Sequence, residues 1–383
     1  MIKMLIGELS TGRKIIPIPA SEGSWEIRRN RAGMISCEVT LTARQNRRLE
    51  LRQNAGVGRA FLAIYEDDRI LAAGPIWEHL YDDDSRQLSI QAEGMWSLLN
   101  RRFILPAAVE TVSLLLTAGD DAGQPNPAVA TTFTGDSWPL IVKGILEQGF
   151  ARAGGELPII FGSDGTGAHD KSYDAASFKT QGEAITDLTE LLDGPEVEFR
   201  PFFTSDGTGV EWRAVVGDDT TPEIFSVGNP HRFDFSVPKR MARRLRVRSS
   251  ARALTSEAWG TGGRQAAVAL ISRAASDALS TAGYPRMESL SNAHSTVELQ
   301  DTLDQYTTAD LALGSTPAEW WEWETNIDHL PRVSSLWLGD YCTAVLRGNA
   351  YLPDGSYRRR IAAMSGSLRS RWVRIVTDEA AAA

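Results

Sequence analysis

Between Arg59 and Arg102 the chain alternates, turns and alternates again, in the pattern of a β-meander closed by a short helix. Phe61, Ala63 and Tyr65 interleave with Ala60, Leu62 and Ile64, so this run is apolar on both faces and is expected to be buried. Glu66-Asp67-Asp68-Arg69 is a polar turn, after which Ile70 to Ala73 resumes the ribbon. Gly74-Pro75 interrupts it: proline has no N–H for a ladder, so a bulge or an edge position is expected there. Ile76 to Tyr81 continues, Asp82-Asp83-Asp84-Ser85 turns, and Gln87 to Glu93 returns with Leu88, Ile90 and Ala92 on one face. Gly94 ends that strand. Met95, Leu98 and Leu99 follow at helical spacing, with Arg101 and Arg102 at the negative end of the helix dipole. The unit reads as one wall of a small barrel. Trp96 lies on the helix that would plug its open end and is expected in the core.

The same reasoning extends along the chain. Met1 to Glu8 reads as a first strand, Trp25 to Arg28 as another, and Ile35 to Thr42 as a third with Ile35, Cys37, Val39 and Leu41 inward. Thr42 to Leu51 is polar and basic, a loop or short helix. Asp136 or Ser137 caps a helix with Pro139 in its first turn, running to about Ala153. A second helix spans Gln181 to Leu192 and is stopped by Gly194-Pro195. Arg244, Arg246 and Arg248 alternate with Leu245 and Val247, which gives a strand with a basic outer face. The Ala- and Ser-rich run Gln265 to Ala282 reads as a helix, and so does Thr296 to Leu313, behind a Ser295-x-x-Glu298 capping box. Trp321-Glu322-Trp323-Glu324 is a half-buried strand, Tyr341 to Leu346 and Arg360 to Leu368 form hairpins, Trp372 to Val376 closes, and Glu379 to Ala383 frays.

Three stretches, in order, resemble phage tail hub proteins: the tail-tip and minor tail proteins of long-tailed phages, especially of actinobacterial hosts. Those are similar in fold to the baseplate hub of contractile-tailed phages. The first is the hairpin Phe61 to Leu71 with Ala73-Gly74-Pro75-Ile76 and the run Gly94-Met95-Trp96, Leu99, Arg102. The second is the helix Gln181 to Leu192 leading into Gly194, Glu198-Phe199-Arg200-Pro201 and a strand at Val210 to Val215. The third is Leu338-Gly339-Asp340-Tyr341, Tyr351, Pro353-Asp354-Gly355, Arg360-Ile361 and Met364 to Leu368. Each motif alone is ordinary turn chemistry; their order and spacing carry the resemblance.

The resemblance implies an α+β, mainly β fold: two similar small β-barrels, at 1–105 and 236–376, around a middle α+β region at 106–235, with helices inserted in the second barrel and a frayed tail at 377–383. It implies a homotrimer whose six barrels form a pseudo-sixfold ring. That ring would meet the sixfold tail tube, the distal tail protein ring, the tape measure protein and a threefold central spike or fibre. Genomic DNA would pass through its lumen without stable binding. It implies a structural role, no cofactor, and a place at the tip of the virion tail after synthesis in the host cytoplasm. Gly74, Gly94, Trp96, Gly339 and Asp340 are its structural motif residues, and Arg244, Arg246 and Arg248 are candidates for a subunit interface.

Composition agrees with that class. The 383 residues suffice for about two or three domains. A 42% apolar share supplies material for real cores. The net charge of -9 argues against a dedicated nucleic-acid binder, which would be basic. No run reaches the ~18 apolar residues of a membrane span, and the apolar part of the N-terminus is too short for the core of a signal peptide.

Candidate chemistry is sparse. The glycine pairs in the repeated Ser-Asp-Gly-Thr-Gly at 163–167 and 205–209 lack the following helix of a phosphate loop, and read as turns. The five histidines have no zincin spacing. Cys37 and Cys342 fall at core-facing strand positions, where a thiol is not activated. The acidic clusters Asp82-Asp83-Asp84, Asp120-Asp121 and Asp218-Asp219 lack EF-hand spacing and read as solvated turns. Two rival readings use these features: a cell-wall-degrading tail hydrolase built on acidic loops, and a carbohydrate- or receptor-binding module built on Trp320, Trp321 and Trp323.

Overall fold

A computed structural model describes residues 2–41, 48–106, 130–191, 193–228, 230–236, 241–265, 268–292, 297 and 300–379. The chain forms two compact units. One comprises Met1–Thr189, Pro195–Leu245 and Glu322–Ala383; the other comprises Glu190–Gly194 and Arg246–Trp321.

The larger unit begins with seven strands: β1 (Ile2–Glu8), β2 (Lys14–Ile18), β3 (Glu22–Arg28), β4 (Met34–Thr40), β5 (Ala60–Glu66), β6 (Arg69–Asp82) and β7 (Gln87–Glu93). The alternation at Phe61 places both faces of β5 against protein, and four of its seven residues are 0% exposed. Gly74-Pro75 does not interrupt the meander. β6 runs unbroken through it and changes partner there: Arg69 to Pro75 pair with β5, and Ile76 to Asp82 pair with β7. A register shift between Ile76 and Glu78 marks the bend, so the irregularity falls just past Gly74-Pro75 rather than at it.

Next come β8 (Thr131–Asp136), β9 (Ile159–Phe161), β10 (His169–Tyr173), β11 (Val197–Phe203), β12 (Val210–Val216) and β13 (His231–Asp234). The helix Trp138–Phe150 lies among them, and its Ser137 side chain accepts from the Leu140 N–H, as the sequence indicates. The helix at Gln181 ends at Thr189 rather than Leu192. β8 and β10 pair, and β9, β11 and β12 form a three-stranded sheet. That sheet shares a core with β1, β5 and β6, where Phe61 meets Trp212 edge-on at 5.3 Å.

The last strands are β14 (Ala242–Ser250), β15 (Glu257–Gln265), β16 (Val268–Ala275), β17 (Glu288–Ser291), β18 (Ala318–Asn326), β19 (Tyr341–Leu346), β20 (Gly355–Ser367) and β21 (Trp372–Glu379). Thirteen strands join one hydrogen-bonded sheet, with the path β14-β18-β21-β20-β3-β4-β7-β6-β5-β1-β2 and with β13 and β19 branching from β20. The strand sets of both expected barrels therefore meet, through β3 against β20. No closed barrel is detected among the described residues. The fold class is α+β, mainly β.

In the smaller unit the expected helix at Gln265–Ala282 is instead a hairpin, β15 against β16, followed by the short helix Ala278–Thr281. Tertiary burial overrides helix propensity here: Leu270 and Ser272 are buried while Ile271 and Arg273 are exposed, a period of two. The buried side faces the helix Gln300–Leu313. Thr307 packs where a Cβ on Gly260 would sit, and Leu303 packs near Gly262. The capping box at Ser295 and the acidic pair at Asp120 lie outside the described residues.

Candidate functional site

A densely connected polar cluster of the larger unit lies where β20, β13 and the loops at 195–196, 222–226 and 337–341 converge. Arg360 is the last residue before β20 turns apolar at Ile361, and it is 3% exposed. Its guanidinium forks onto Glu196, with Nη1 donating to Oε1 at 2.5 Å and Nη2 donating to Oε2. Nε donates to the Gly339 carbonyl at 2.9 Å, and Nη2 also reaches the Ile224 carbonyl at 2.9 Å. Glu196 in turn accepts from the Ile224 N–H at 2.8 Å and sits 3.1 Å from Arg29 Nε, while Arg29 also pairs with Asp378. Tyr341 O–H donates to Glu223, whose other carboxylate oxygen lies 3.4 Å from Arg360. One arginine thus ties three loops to the central sheet.

Asp340 is 2% exposed and caps two of those loops. Its Oδ1 accepts from the Ser226 N–H at 2.7 Å, its Oδ2 from the Trp337 N–H at 2.8 Å, and His231 Nε2 lies 3.5 Å away. Burial works against its charge, but His231 and the backbone donors outweigh burial and hold its pKa below the ordinary carboxylate value. Gly339 has φ 81°, and a Cβ there would lie 1.8 Å from the Ile224 oxygen, so this turn requires glycine.

A carboxylate with a depressed folded pKa stabilises the fold above its unfolded value, near pH 4, and that contribution is lost as pH falls through the lower folded value. Wild type should therefore be more stable than Asp340→Asn at neutral pH, and the gap should close as pH drops below about 4. Urea titrations across that range measure it. A gap that stays constant down to about pH 2 contradicts the assignment.

Beside this cluster, two arginines lie against the Trp337 ring. The Arg69 guanidinium lies 3.2 Å from the ring centroid and the Arg200 guanidinium 4.6 Å. Arg69 also donates to the Ser334 and Leu336 carbonyls at 2.6 and 2.8 Å, and burial lowers its pKa to about 10. Burial pushes the Glu198 carboxyl up, against the pull of Arg200, which donates to it at 2.6 Å, and of Arg69. A cavity of about 60 Å³ adjoins Glu198, Trp337 and Trp96.

The other sequence-selected residues fall elsewhere. A Cβ on Gly74 would lie 1.8 Å from the Glu93 oxygen, so two strands approach there closer than a side chain permits. The Gly94 N–H donates to Gly33 at 2.8 Å. Trp96 is 5% exposed and meets Phe199 edge-on at 5.9 Å. Arg244, Arg246 and Arg248 are exposed on β14. Arg244 already pairs with Glu324 of the same chain at 2.8 Å, and Arg248 lies over Trp320. Trp321 and Trp323 are fully buried rather than presented as a platform. The two Ser-Asp-Gly-Thr-Gly runs differ. The second closes the β11–β12 hairpin around Asp206, and the first docks on Asp218 through the Thr166 N–H.

Sequence reasoning missed the Arg360–Glu196 fork and the Trp337 stack. The available signal was Arg358-Arg359-Arg360 running directly into Ile361: charges that persist into a buried strand need partners.

The chemistry is that of a clamp. Cys37 and Cys342 are buried free thiols whose pKa values burial raises, that of Cys37 to about 12. Among the described residues no group of three or more His, Cys, Asp or Glu side chains could hold a metal ion. No helix among them is long and apolar enough to cross a membrane.

The architecture is that of a β-rich scaffold whose conspicuous polar groups fasten loops to a sheet. No family model matches the sequence, and no curated protein does. Solved structures do match. The 43 kDa tail protein of prophage MuSo2 from Shewanella oneidensis aligns with a TM-score of 0.57 at 12% identity, over 98% of this chain and 97% of that one. A tail protein from Neisseria meningitidis aligns at 0.56 and 11%, over 99% and 96%. A prophage tail protein from Listeria monocytogenes aligns at 0.51 and 9%, over 100% and 95%. The chain has the fold of phage tail proteins.

Proposed function

We propose that this chain is a structural hub of a phage tail tip. The observation that carries the proposal is the extent of the likeness: it runs nearly end to end along this chain and along each of three tail proteins from different bacteria. A shared catalytic or binding module would align over a part. The role is assembly rather than turnover: among the described residues both thiols are buried, and Trp321 and Trp323, on which the sugar-binding reading depends, are fully buried.

Three copies would close a ring. The strand sets at the two ends of the chain, joined through β3 and β20, would give six related elements facing the sixfold tube, with threefold symmetry facing a central spike or fibre. The distal tail ring and tape measure protein are the expected neighbours, the virion tail tip the expected location, and the host cytoplasm the site of synthesis. A lumen acidic on balance would let DNA pass, because each phosphate neutralised by Lys or Arg adds binding that slows it. Arg244, Arg246 and Arg248 would then face away from the lumen, toward a neighbouring protein.

Light scattering on the purified chain tests the assembly. The expected mass is three times 41.9 kDa. A monomer at every concentration, or a stable dimer, contradicts the ring.

A further inference from the structure

Two hairpins of the larger unit present opposite charge and exposed apolar side chains. The β6–β7 hairpin is exposed from Leu80 to Gln87. Leu80 is 64% exposed and Tyr81 49%. Asp82, Asp83 and Asp84 form its tip, and the one cation in that turn is Arg86. The tip is ordered: Asp82 accepts from the Ser85 N–H at 2.9 Å and Tyr81 O–H donates to Asp83 at 3.0 Å.

The β19–β20 hairpin has the opposite character. Tyr351 at its tip is 78% exposed. Asn349 accepts from the Tyr351 and Leu352 N–H groups at 2.8 and 2.9 Å, and Asp354 accepts from the Gly348 N–H at 2.6 Å, so the tip is also ordered. Arg347 and Arg358 flank it, exposed. Arg232 continues the row, since Thr343 of β19 faces both Arg232 on β13 and Arg358 on β20. Asp234 and Asp354 are the nearby acids, the first 3.8 Å from Arg232 and the second turned onto the backbone of its own turn.

We propose that the acidic β6–β7 hairpin of one copy docks against the arginine-flanked β19–β20 hairpin of the next. The proposal rests on the trimer reading above and names its contact. Exposed tyrosines and arginines on ordered backbone are what protein interfaces use as anchors. The charges are complementary, so the partner of each hairpin is present on every copy. Two different patches meet, so the contact is head-to-tail, and a head-to-tail contact closes a ring if its rotation allows. Tyr351 would pack near Leu80 and Tyr81 and remove all three from water.

Charge reversal tests it on the full chain by light scattering, with circular dichroism to verify folding; all the substituted side chains are exposed. Asp83→Arg with Asp84→Arg, and separately Arg347→Glu with Arg358→Glu, should each weaken association by roughly 100-fold and shift the mass to monomer. Combining all four swaps the charges and should restore the trimer. Trimers that persist in both reversed variants overturn the hairpin contact and leave the trimer standing. Reversed variants that dissociate without rescue by the swap overturn the pairing of these two hairpins. A wild-type monomer overturns the trimer and this contact together.

Discussion

Replacing Glu196 by alanine is expected to lower the unfolding free energy by about 3–5 kcal/mol, because it strands a buried guanidinium without its fork partner. Arg360 is 3% exposed, and its bidentate contact is with Glu196. Glu223 lies 3.4 Å from Arg360 but is more exposed and already engaged by Tyr341, so it offsets part of the loss. Arg29 and the Ile224 N–H lose the same acceptor. Glu196→Gln keeps one acceptor oxygen and should cost less. Urea unfolding of both variants measures the pair. A Glu196→Ala loss under about 1 kcal/mol, the value of an exposed ion pair, would show that the cluster is hydrated and does not fasten the loops.

Trp96→Ala is expected to cost about 3–5 kcal/mol, as for large aromatics removed from cores. The side chain is 5% exposed, sits on the short helix Trp96–Leu99, and meets Phe199 of β11 edge-on. It also borders the 60 Å³ cavity, so truncation enlarges a void that the neighbours have already failed to fill. Chemical denaturation reads the loss directly. A variant as stable as wild type would mean that this helix packs loosely and that Trp96 is not a core residue.

Local pattern carried much of the fold. The meander from Phe61 to Glu93, the cap at Ser137, the inward Cys37 and the buried Trp321 and Trp323 are all consequences of side-chain periodicity or end chemistry, which the sequence displays residue by residue. Pairing between distant segments was not legible. β3 meets β20 across more than 300 residues of chain, and no alternation within either strand names its partner. The Gln265–Ala282 error has the opposite cause. Ala-rich composition favours a helix locally, and the helix Gln300–Leu313 supplies the buried face that decides for a hairpin. The polar cluster was half legible: Gly339-Asp340 announces a turn, but only the fold brings Glu196 and Arg360 to it.

The same limit applies to function. Turn motifs in family order pointed to a tail hub, and the full-length likeness to tail proteins concerns the fold they share. The central claim is that this chain forms a threefold ring at the tail tip. A near-atomic reconstruction of the virion tail with this protein identified in it tests it most directly. The account predicts three copies around the tail axis at the distal end, with Arg244, Arg246 and Arg248 turned away from the channel. Label on the capsid or along the tube, a twofold or sixfold arrangement, or those arginines lining the channel would contradict it.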